Sequence, residues 1–142
     1  MIRALLFLVT LAAAPVAAQN YVVIVNDANS VSQVSAGELS RMFMKKLNRW
    51  ESGLDVVPVD LPESAAAREA FSAAVHGKSV SAVHAFWQQQ IFSGRGVPPV
   101  EKRSDDDVIA YVKEHPGAVG YVSAAAIRPA GVKTLDVRGL DR

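Results

Sequence analysis

Ser64-Ala65-Ala66-Ala67-Arg68 sets a hydroxyl, three small side chains and a cation at the start of a run whose apolar residues recur at helical spacing. Backbone N–H groups at a helix start point outward without partners and favour negative charge, so this run is a candidate site for a small anion. Arg95 stands between Gly94 and Gly96 and joins that site if its loop folds over the helix start. The candidate ligand-binding residues are therefore Ser64, Ala65, Ala66, Ala67, Arg68 and Arg95. Ser64 equally suits ordinary helix capping, which needs no ligand.

Other chemistry finds less support. His76, His84 and His115 are spaced so that no two lie one helical turn apart, and there is no HExxH motif, which argues against a metal site. Asp105-Asp106-Asp107 lacks the alternating pattern and central glycine of a calcium loop and suits the positive end of a helix dipole. GxSxG, P-loop and GxGxxG motifs are all missing, so the sequence reads as a non-enzyme without a cofactor. Lys45, Lys46 and Arg49 beside Trp50 form either a solvated turn or a contact for an anionic partner or membrane headgroups.

The chain has 142 residues, with 15 basic and 14 acidic side chains scattered along it. Balanced charge without a basic stripe speaks against nucleic-acid binding. The absence of cysteine removes disulfides, thiolate nucleophiles and an N-terminal lipid anchor. Arg3, the apolar run Ala4 to Ala14 and the small residues Val16-Ala17-Ala18 have the layout of a cleavable signal peptide over residues 1–18. That apolar run is too short to cross a bilayer, which takes about 20 residues. A single exported domain, periplasmic or secreted, is expected over residues 19–142.

The elements that must position the candidate residues read in order. Tyr21 to Val25 is a β-branched strand of central type, and Ser35 with Glu38 forms a capping box that opens a short helix through Leu39, Met42 and Phe43. Asp55 to Asp60 is a second strand, in which Pro58 suggests an edge or a strand end. Two successive helices follow, one with a stripe of Ala67, Ala70, Phe71, Ala74 and Val75 closed by Gly77, the other with Val80, Val83, Trp87 and Ile91 on one face. Phe92 to Pro99 is a loop; Ser104 caps a fourth helix that ends at Pro116-Gly117. Ala118 to Val122 and Val132 to Val137 are strands, giving the order β-α-β-α-α-α-β-β and an α/β fold class.

Three segments carry a family resemblance: Ser35 to Phe43 with the Lys-rich turn and Trp50, Val57 to Phe71 with Arg68-Glu69-Ala70-Phe71, and Pro116-Gly117-Ala118-Val119-Gly120-Tyr121-Val122-Ser123. Together they resemble the second lobe of the periplasmic phosphate-binding proteins of ABC transporters, members of the type 2 periplasmic-binding-protein fold. The resemblance implies a single lobe, with a central mixed sheet flanked by helices. It also implies that phosphate would sit at a Ser-Gly-Thr turn whose matching positions here are Ala65, Ala66 and Ala67. Methyls in place of hydroxyls delete donors and leave only the N–H groups.

Two readings of function follow. One is an exported, non-enzymatic solute-binding-like protein that takes phosphate or another small anion weakly near Ser64. The other is an interaction module without a ligand, docking on a membrane transporter, a sensor or a second copy of itself. Pairing of two copies as a homodimer would also rebuild a two-lobed cleft.

Overall fold

A computed structural model describes residues 20–126 and 128–140. The expected leader over residues 1–18 lies outside the described residues. Strand β1 (Tyr21–Asn26) leads through β2 (Gln33–Ser35) into helix α1 (Ala36–Phe43). The capping box is formed as expected: Glu38 N–H donates to Ser35 Oγ and Ser35 N–H donates to Glu38 Oε2. Strand β3 (Val57–Asp60) precedes α2 (Ala66–Phe71), which continues as a π-helical turn, Ser72–His76, and stops at the left-handed Gly77. Helix α3 (Val80–Phe92), strand β4 (Val100–Glu101), helix α4 (Asp105–Glu114) and strands β5 (Ala118–Ser123), β6 (Val132–Thr134) and β7 (Asp136–Arg138) complete the chain.

Five strands form one mixed sheet in the order β4-β3-β5-β1-β6. Strands β4, β3 and β5 run parallel, whereas β1 is antiparallel to both of its neighbours, so β1 is interior as its apolar run suggests. Adjacent residues of β5 show how the faces are used. A Cβ on Gly120 would lie 2.7 Å from Val108 Cγ1, so glycine lets α4 press on one face. Tyr121 points the other way, its ring stacked on Phe71 of α2 at 4.0 Å between centroids. Trp50 is buried, with Nε1 donating to Gly117 O, and a Cβ on Gly117 would strike Asp55 O at 2.0 Å.

Several expectations are corrected. Of the two expectations for Pro58 the strand end holds, as it is the second residue of β3, and the edge does not, since β3 lies between β4 and β5. β4 pairs only from Val59 onward, so the proline sits where one side of the strand has no neighbour. The single final strand is two: β6 pairs with β1, Leu135 is buried with its N–H donating to Val23 O, and β7 leaves to pair with β2 in a separate two-stranded sheet. Ala74 and Ile91 fall out of the buried stripes and face solvent. Trp50 is core and does not stand beside the Lys45-Lys46-Arg49 turn as a surface aromatic.

Candidate functional site

In open α/β sheets ligands bind outside the carboxyl ends of parallel strands, where successive connections diverge. Here the chain leaves β3 for β4 on one side and then crosses to β5 on the other. The carboxyl ends of β3 and β4 supply Asp60, Leu61 and Glu101, and α2 begins just beyond them. This crevice contains the run Ser64 to Arg68.

The crevice is filled by its own side chains. Arg68 is 7% exposed, and its Nη1 donates to Leu61 O at 2.8 Å and to Glu101 Oε2 at 3.3 Å. Tyr121 Oη donates to Asp60 Oδ1 at 2.7 Å and accepts from Leu61 N–H at 3.3 Å. Leu61 thus links the two halves, through its carbonyl to the guanidinium and through its amide to the phenol. Burial raises the Asp60 carboxyl above its ordinary range, with Glu101 adding to that rise, while Arg68 and the Tyr121 hydrogen bond oppose it. Burial first, and the Asp60 charge after it, push Tyr121 up, so its hydroxyl stays a donor at any working pH.

The helix start itself is bare. Ala65 is the N-cap of α2 and offers no side-chain cap bond, Ala66 is exposed and Ala67 is buried against the core. The Ala65 N–H is spent on Pro62 O. Ser64 is exposed, and next to it Glu63 forms a short ion pair with His84 of α3. A shallow groove of about 600 Å³ nearby is lined by Glu63, Glu69, Lys78 and Ser79 among others, so its carboxylates outnumber its cations. Arg95 lies exposed beyond α3, its N–H donating to Gln90 O, and among the described residues no hydrogen bond or ion pair joins it to Ser64 or Arg68.

The structure therefore brings Arg68 together with Asp60, Glu101 and Tyr121, a grouping that sequence reasoning did not make. One signal was present, because Asp60 ends a run of Val residues that had to be a buried strand. Among the described residues no cluster of three or more His, Asp or Glu is placed to hold a metal ion. His76 sits behind the crevice with Nδ1 at 2.7 Å from Ser40 Oγ. Burial, followed by the charges of Lys78 and Arg68, lowers its pKa to about 4.

Four helices around a mixed sheet with this strand order make the architecture one α/β lobe of the periplasmic-binding-protein kind. Solved structures that share this fold include substrate-binding proteins of phosphate ABC transporters. An ABC-type phosphate transport receptor from Vibrio cholerae superposes with a TM-score of 0.64 at 17% identity, over 83% of this chain and 46% of its own. PstS from Borrelia burgdorferi does so with a TM-score of 0.59 at 12% identity, over 84% of this chain and 47% of its own. The chain thus spans less than half the length of these structures. No family model matches the sequence, and no curated protein matches it.

Proposed function

We propose that this chain is an exported, non-enzymatic single lobe of the substrate-binding type that works as an interaction module in the periplasm. The observation that carries the reading is the state of Arg68. The cation nearest the helix start already bonds Leu61 O and the Glu101 carboxylate, and the hydroxyls that would complete an anion cradle are replaced at Ala65, Ala66 and Ala67. An incoming phosphate would have to compete with Glu101 for the guanidinium and approach past Glu63, Glu69 and Asp60. The leader-like residues 1–18 support export, and the likeness to phosphate transport receptors supports descent from binding rather than from catalysis.

A second reading, weak recognition of phosphate near Ser64, is favoured by that same likeness and by the placement of α2 at the strand ends. Titration calorimetry with phosphate and with sulfate at equal ionic strength separates the two. The docking reading predicts no saturable heat from either anion. A saturable, phosphate-selective isotherm weakened in Ser64→Ala would establish the second reading instead.

A further inference from the structure

The large apolar side chains left in water are not spread over the molecule. Of the five that are exposed among the described residues, Ile91 at 54%, Phe92 at 92%, Val97 at 62% and Val100 at 38% fall in one stretch, from the end of α3 through the loop to β4. Gly94 N–H donates to Ile91 O and Arg95 N–H to Gln90 O, so the loop is folded against the end of α3. A Cβ on Gly96 would meet the Trp87 ring at 4.0 Å, which keeps the far side of the loop on the same helix end. Trp87, Val83 and Phe86 in turn pack on Met44, and Lys46 Nζ lies 5.8 Å above the Phe86 ring. The turn after α1 and the loop Ser93 to Pro99 therefore meet α3 at one residue, Trp87.

Up to Val100 the charge of this region is of one sign, the Glu101 that follows being paired with Arg68. From Ala70 to Val100 the sequence holds no Asp or Glu. Arg41, Lys45, Lys46 and Arg95 take part in none of the ion pairs among the described residues, while Glu63 and Glu69 line the groove at the start of α3, where His84 holds Glu63. Free cations beside exposed apolar side chains complement a surface that offers phosphates outside and hydrocarbon beneath. Phe92, with 92% of the residue exposed, has no wall around it. Such a side chain suits a deformable acceptor more than a preformed protein pocket.

We propose that the C-terminal end of α3 and the loop Ser93 to Pro99 form a docking tip for an anionic phospholipid surface, with Phe92, Ile91 and Val97 entering the interface and Arg95, Lys45 and Lys46 holding lipid phosphates. This inference names the partner of the docking reading and rests on it. Phe92 is the largest and most exposed of the three apolar side chains, so its removal has the largest apolar effect. Each cation near the surface adds an attraction that salt weakens.

Co-sedimentation with phosphatidylcholine vesicles containing roughly one-third phosphatidylglycerol, against pure phosphatidylcholine, tests the proposal directly. The chain is expected to bind the anionic vesicles alone, to release them at high salt, and to ignore added inorganic phosphate at constant ionic strength. Phe92→Ser should weaken binding by about tenfold or more, and Arg95→Glu by about fivefold or more, with the thermal midpoint of both variants unchanged because both sites are exposed. Failure to bind anionic vesicles, or equal binding by Phe92→Ser, would overturn the membrane tip. A dimer that Phe92→Ser dissociates in sedimentation velocity would also overturn it, in favour of a second copy. The docking reading falls separately, on saturable phosphate binding in the calorimetric titration without vesicles.

Discussion

The crevice at the ends of β3 and β4 and the tip at the end of α3 treat charge in opposite ways. In the crevice Arg68, Asp60, Tyr121 and Glu101 are joined by hydrogen bonds, with Leu61 between them, and three of the four are largely buried. At the tip Arg95 and Lys46 are exposed without carboxylate partners, and Phe92 has almost no protein around it. A satisfied buried network specifies the core and leaves little for a ligand, whereas unspent charge and apolar area remain open to a partner. The same fold thus holds a bonded polar network at the strand ends and exposed apolar side chains at the end of α3.

Arg68→Ala should break this contrast most severely. It leaves the buried Leu61 carbonyl without its charged donor and takes a favourable charge away from the buried Asp60 carboxyl, at about 3 kcal/mol. Arg95→Ala, one cation for another, should stay within about 0.5 kcal/mol. Urea unfolding of the two variants side by side measures the difference, and equal costs would mean that the crevice network stabilises no more than the surface does.

The pH dependence should come from the inner region. The unfolded chain takes up a proton on His76 near 6.5, which the folded chain refuses until about 4, so stability falls as pH drops through that window and this contribution is constant above it. Between pH 7 and pH 5 the loss is about 2 kcal/mol. Asp60 acts with the opposite sign. Its raised pKa means that the folded chain holds a proton that the unfolded chain has lost above 3.8, so its contribution falls as pH rises through the raised value. Denaturation midpoints of wild type and His76→Gln at the two pH values should diverge, with the variant the flatter.

Tyr121→Phe is a smaller cut. The ring can keep its stack on Phe71, but Asp60 Oδ1 and the Leu61 N–H lose their shared hydroxyl, at about 1–3 kcal/mol. Phe92→Ser lies at the other extreme, with a stability change within about 0.5 kcal/mol, because the ring it removes is solvated. Thermal melts of the two variants would rank the regions by how much each fold contact matters.

Much of the frame was legible because it repeats. The β-branched run Tyr21 to Val25, the capping box Ser35-x-x-Glu38 and the punctuation at Gly77 and Pro116-Gly117 are local signals, and each marks an element end in the structure. The two-residue β4 and three-residue β2 carry no period long enough to read, and the break at Leu135 depends on which strands lie beside it. The crevice was half legible for a similar reason. Arg68 stood out by its place at a helix start, but its pairing with Glu101 and the meeting of Asp60 with Tyr121 depend on the sheet order β4-β3-β5, which brings distant segments together. Trp50 beside three cations looked like a surface group, and only the fold shows its indole donating to Gly117 O in the core.

The most direct test of the closed crevice is thermal unfolding of the chain in rising phosphate, against sulfate and chloride matched in ionic strength. A ligand that binds only the folded state raises stability by RT ln(1 + [L]/Kd), whereas general salt effects act without regard to a site. The account predicts that phosphate shifts the midpoint no more than sulfate does. A phosphate-specific rise that disappears in Ser64→Ala would contradict it and restore the helix start as a working anion site.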